Sequence, residues 1–82
     1  MHAMSKPIRW GILGTGLIAT EFAKAMQHVC DAELVSVGSR TQSSASTFAS
    51  AHGLTRAHGS YEALAADPLV DVVYIATPHT LH

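Results

Sequence analysis

The chain alternates between short apolar runs and stretches in which apolar residues recur at helical spacing. Ile8 to Leu13 is a run of the first kind, ending in a glycine cluster, and it predicts a strand buried on both faces rather than one with strict alternation. Beyond Gly16, the residues Ile18, Phe22 and Met26 recur at every fourth position with Ala19 and Ala23 beside them. Glu21, Lys24 and Gln27 fall elsewhere on the wheel, so this is an amphipathic helix ending near His28 or Val29. Glu33 to Gly38 predicts a second strand around Leu34, Val35 and Val37. Thr41 is placed to cap a second helix, with Ala45, Phe48 and Ala49 facing inward and Gly53 just past its end. Ser43, Ser44 and Ser46 then form its exposed first turn. Arg56 to His58 predicts a very short strand. Ser60 caps a brief helix through Tyr61, Leu64 and Ala65, which Asp67-Pro68 terminates, and Asp71 to Ala76 is a last apolar strand.

Strands alternating with helices imply parallel pairing through right-handed crossovers. The expected architecture is α/β: part of a doubly wound (Rossmann) parallel sheet, strand order 3-2-1-4, with helices on both faces. A chain of 82 residues fits one small domain, here residues 1–82, and the 48% apolar and 13% charged composition is that of a packed fold. Its net charge of −1 is backed by no basic stripe, which argues against nucleic acid or an acidic membrane as partner. Met1 to Pro7 lacks the apolar run of a signal peptide, and no stretch approaches the roughly 20 apolar residues of a membrane span. Cys30 is the sole cysteine, read as a half-buried residue after a helix, so no internal disulfide forms and a reducing cytoplasm is the expected compartment.

Gly14-Thr15-Gly16-Leu17-Ile18-Ala19 matches G-x-G-x-x-A, and its place between a strand and a helix matters more than the pattern. Gly14 allows the tight turn, Gly16 lets a pyrophosphate approach the backbone without meeting a Cβ, and small Ala19 permits close helix packing. The unpaired N–H groups of the helix start then face the anion. The competing reading is a tight turn that merely packs. At the end of the second strand an NAD site usually carries an acid that holds the adenosine ribose. Here Ser39-Arg40-Thr41 stands instead. A guanidinium fork suits a 2′-phosphate, with hydroxyl donors from Ser39 and Thr41, so NADP is expected, with NAD as the alternative.

The last strand leads into Thr77-Pro78-His79-Thr80-Leu81-His82, which belongs in the crevice beyond the strand ends. Four segments now stand in order: Arg9 to Gly16, Gly38-Ser39-Arg40, Ser60 to Leu64 with Asp67-Pro68, and Asp71 to Pro78 with His82. In these the chain resembles the glucose-fructose oxidoreductase and inositol dehydrogenase (Gfo/Idh/MocA) family, particularly members acting on dihydrodiols and sugars. The resemblance implies that Thr77 and Pro78 border the nicotinamide-side ribose and phosphates and that His82 is a histidine of the cofactor crevice. His79 stands where the family usually has Asn. His79 and His82 are three apart but have no carboxylate or Cys with them, so no metal is expected. His2, His28, His52 and His58 are read as surface or helix-end residues.

The resemblance further implies a Glu-Lys-Pro motif, whose Lys moves the proton opposite hydride transfer, and a C-terminal substrate domain. Neither lies within this sequence, and Lys6 and Lys24 map onto no such role. The expectation is therefore the cofactor-binding N-terminal part of an oxidoreductase acting on a sugar, polyol or diol CH–OH group, able to hold the cofactor but not to turn over. The alternative is a stand-alone, non-catalytic nucleotide-binding module; a methyltransferase-type domain fits the glycine turn less well. Self-association through the exposed edge of strand 71–76 is expected of a chain this short.

Overall fold

The computed structural model describes residues 7–76. Its elements run β1 (Ile8–Leu13), α1 (Leu17–Met26), β2 (Ala32–Gly38), α2 (Gln42–His52), β3 (Arg56–His58), α3 (Tyr61–Ala65) and β4 (Val72–Ile75). All pairings are parallel and the 4-stranded sheet has the order β3-β2-β1-β4. This is the expected topology.

Helices cover both faces because successive side chains of a strand point opposite ways. On one face Ile12 and Val37 meet Ala19 and Ala23 of α1 and Ala45, Phe48 and Ala49 of α2, the buried core. On the other, Leu64 of α3 lies so close to the sheet that a Cβ on Gly38 would stand 2.8 Å from the Leu64 Cβ. Small residues on β1 and β2 are thus what let α3 pack. The β1–β2 register shifts between Trp10 and Gly11, which face Leu34 and Ser36. Phe22 of α1 stacks on Tyr74 of β4 with ring centroids 4.1 Å apart, tying the fourth strand to the first helix.

The caps formed as expected. Thr41 accepts from the Ser44 N–H at 3.2 Å, Ser60 accepts from the Ala63 N–H at 3.1 Å, and Gly53 closes α2 at φ 71°. Four expectations need correction. Ile18 is not on the inner face of α1; that face is Ala19, Ala23 and Met26, and Ile18 is exposed. β1 and β4 are less enclosed than continuous apolar runs suggested: Ile8, Val72, Val73 and Ile75 are exposed, since one edge of the sheet lies at β4. Cys30 is exposed, because α1 ends at Met26 and the chain turns outward before β2. His58 is no surface residue, as described below. Among the described residues no helix is long and apolar enough to cross a membrane.

Candidate cofactor-binding site

The β1–α1 turn is built by two glycines with different tasks. Gly14 adopts φ 115°, a region that L side chains rarely enter, and its N–H donates to the Gly38 carbonyl at 2.8 Å. That bond ties the turn to the end of β2. Gly16 is the N-cap of α1 in extended backbone (φ −83°, ψ −162°), and among the described residues a Cβ placed on it would meet nothing within 4 Å. Among the described residues, therefore, no packing or backbone constraint asks for glycine at 16; what its missing Cβ provides there is open space.

Among the described residues no side chain caps α1, and its first turn contains no acid. The helix start thus presents N–H groups and the positive end of its dipole without an internal anion to neutralise them. The neighbouring helices differ: Thr41 and Ser60 cap α2 and α3 with their own hydroxyls. Leu17 and Ile18 are exposed beside the turn, and Thr15 is half-buried.

Ser39 and Arg40 follow β2 at the same end of the sheet, beyond the carboxyl ends of the strands. Ser39 is buried at 8% exposure and its N–H donates to the His58 carbonyl at 3.0 Å. Arg40 is exposed and enters no ion pair among the described residues. Thr41 does not offer the free hydroxyl expected of it: its Oγ1 donates to the Ser44 Oγ at 2.9 Å while accepting the Ser44 N–H, so the cap occupies it. The structure therefore brings Gly14, Thr15, Gly16, Leu17, Ile18, Ser39 and Arg40 to one end of the sheet. Thr77, Pro78, His79 and His82 lie outside the described residues. The last described residue, Ala76, donates its N–H to the Leu13 carbonyl at 2.9 Å, next to the glycine turn.

A groove of about 400 Å³ also opens from Thr15 between α1 and α2, lined by Thr20, Ser44 and Thr47. It includes neither Ser39 nor Arg40 and runs along the helices rather than over the strand ends. The strand ends, not this groove, carry the features of a dinucleotide site.

A parallel sheet of order 3-2-1-4 with an uncapped glycine turn after its first strand defines the dinucleotide-binding class of α/β domains. Within it the chain belongs to the Gfo/Idh/MocA oxidoreductase family, whose NAD-binding Rossmann-fold model matches residues 8–82. It is 44% identical over 77 residues to human trans-1,2-dihydrobenzene-1,2-diol dehydrogenase, covering 92% of this chain and 23% of that protein. The chain thus spans under a quarter of the length of such relatives. It is similar to the 3-ketoreductase KijD10 of Actinomadura kijaniata, solved with NADP, at TM-score 0.84 and 31% identity, covering 94% of this chain and 25% of that one. It is also similar to the biliverdin reductase of Synechocystis, solved with biliverdin and NADP+, at TM-score 0.74 and 35% identity, covering 88% and 22%.

Sequence reasoning missed one polar cluster. Asp67, read only as a helix stop, is buried, and its Oδ2 accepts from Arg56 Nε at 2.6 Å, His58 Nε2 at 2.8 Å and Ser36 Oγ at 3.3 Å. Burial alone would raise this carboxyl. The hydrogen bonds from His58, the Leu69 N–H and Arg56, with the Arg56 charge, outweigh it and hold the group well below the usual carboxylate range.

Proposed function

We propose that this chain is the NADP-binding part of an oxidoreductase that interconverts hydroxyl and carbonyl on a diol, sugar or polyol. The observation that carries the reading is the start of α1: a glycine N-cap that, among the described residues, faces open space and has no side-chain cap, at the end of the first parallel strand. The N–H groups of Leu17, Ile18 and Ala19 would hold the diphosphate, Gly14 would hold the turn in place, and Thr15 would line the approach. Arg40, exposed and free of ion pairs among the described residues, would take the 2′-phosphate together with Ser39. Thr77, Pro78, His79 and His82 would border the nicotinamide side, consistent with the exit of β4 beside the turn.

A bound nicotinamide supplies hydride transfer; this chain's residues bind and orient it. The substrate class rests on diol dehydrogenases that share 40–44% identity with the chain. Lys24 lies exposed on α1 and Lys6 precedes β1, so the 82-residue polypeptide alone would hold cofactor without turnover. On its own it would also self-associate, β4 against the β4 of a second copy, because Val73 and Ile75 are exposed at that edge. A monodisperse monomer in light scattering at micromolar concentration would contradict that pairing.

Calorimetric titration of NADPH and NADH tests the cofactor reading. NADPH should bind about 10- to 100-fold more tightly, and Arg40→Ala should remove most of the difference, as expected for one or two charge-assisted hydrogen bonds of about 1.5–3 kcal/mol. Equal affinities in both proteins would overturn it.

A further inference from the structure

The Asp67 cluster lies on the α3 face, outside the crevice, yet it connects to the turn that carries Arg40. Its carboxylate has no exposed side-chain surface and all its bonds are satisfied, with Oδ1 accepting the Leu69 N–H at 2.9 Å. Arg56 and His58, two of its partners, are the first and last residues of β3. That strand is an edge strand of 3 residues, all half-buried, with few backbone bonds of its own to hold its position.

The last residues of β3 in turn moor the segment from Ser39 to Gln42. The His58 carbonyl accepts the Ser39 N–H at 3.0 Å, and the Ala57 carbonyl accepts from Gln42 Nε2 at 3.1 Å. A Cβ on Gly59 would stand 3.1 Å from the Gln42 backbone nitrogen, so the two segments are in close contact. Arg40 lies between these two moorings. The glycine turn bonds to the same peptide unit, its Gly14 N–H donating to the Gly38 carbonyl at 2.8 Å, but it also continues from β1, which pairs with β2 on one side and β4 on the other, so β3 is only one of its supports.

We propose that Asp67, acting through His58, is a positioning residue for cofactor choice: it fixes the end of β3 and thereby the turn from which Arg40 reaches the adenosine 2′-phosphate. The inference rests on the assignment of Arg40 above. A planar guanidinium makes paired bonds to a phosphate only when aimed correctly, so a small displacement of its backbone weakens this contact selectively. The diphosphate contacts, anchored chiefly through β1 between β2 and β4, are affected less.

The test is calorimetric titration of NADPH and NADH against the native chain and His58→Phe, His58→Gln, Gly59→Ala and Arg40→Ala, with thermal melts alongside. His58→Phe keeps the bulk and removes the bond to Asp67. It should weaken NADPH about tenfold and NADH less than about twofold, the tenfold step being about 1.4 kcal/mol. His58→Gln, which keeps a donor, should recover most of the NADPH affinity. Gly59→Ala presses on Gln42 without touching Asp67 and should show the same selective loss, so the result does not hang on one variant folding. An unchanged NADPH to NADH ratio in His58→Phe and Gly59→Ala, or parallel losses of both cofactors that track the melting temperature, would overturn the proposal. If Arg40→Ala leaves the preference intact, the assignment of Arg40 fails instead.

Discussion

Gly16→Asp separates a phosphate-binding turn from one that only packs, because the two accounts predict different pairs of effects. Among the described residues nothing lies within 4 Å of a Cβ at this position, and the backbone is already extended, as an Asp N-cap requires. An Asp carboxylate would accept the free N–H groups of α1 and meet the positive end of its dipole, so the fold should gain about 0.3–1 kcal/mol. The same carboxylate would sit where the diphosphate must come. One lost charge-assisted bond costs about 1.5–3 kcal/mol. Repulsion between like charges about 4 Å apart adds up to about 4 kcal/mol at an effective dielectric of 20. The lower end of that sum weakens NADPH binding about tenfold and its middle more than about 100-fold. Urea denaturation and calorimetric titration on the same samples read both quantities. Stability rising while affinity collapses is the expected result. Wild-type affinity, or a destabilised fold with unchanged affinity, would refute the reasoning.

Other consequences follow from packing and charge. Leu64→Ala should cost about 2–4 kcal/mol in denaturant unfolding, since Leu64 is 1% exposed beneath Gly11 and Gly38. Gly38→Ala should cost about 1–3 kcal/mol by overpacking against Leu64, and the double variant should cost less than the sum, the added methyl filling part of the vacated space; strict additivity would contradict the contact. The depressed Asp67 carboxyl stabilises the fold above its ordinary value of 3.8 and loses that contribution as pH falls below it. Denaturation midpoints should therefore drop below about pH 4, and Asp67→Asn, weaker at neutral pH, should show a flatter acid limb; parallel acid profiles would refute this.

The features legible beforehand were local ones. Thr41, Ser60 and Gly53 act within a turn of where they stand, so their spacing from the apolar residues was enough to place helix ends. Parallel pairing followed from the alternation of elements and the handedness of crossovers, and the strand order from the doubly wound reading of the glycine turn. The glycine turn and the absence of an acid after β2 were equally visible. What escaped depends on long-range packing. Ile18 and Phe22 share a helical spacing, yet Phe22 is half-buried against Tyr74 while Ile18 projects beside the turn; only the position of the sheet under α1 separates them. The run Val72–Ile75 reads alike whether or not a further element covers its edge. Asp67 binds Arg56, His58 and Ser36 across separations of 11, 9 and 31 residues, and no periodicity signals such a meeting. Its local bond to the Leu69 N–H, the ordinary work of an Asp before a turn, was the only part within reach of a sequence pattern.

Backbone amide resonances followed through a titration with NADPH test the central claim most directly. The largest saturating shifts should fall on the amides of Thr15, Gly16, Leu17, Ile18 and Ala19, with a second group at Ser39 and Arg40. Shifts gathered along Thr20, Ser44 and Thr47 between the helices, with the glycine turn unmoved, would contradict the account.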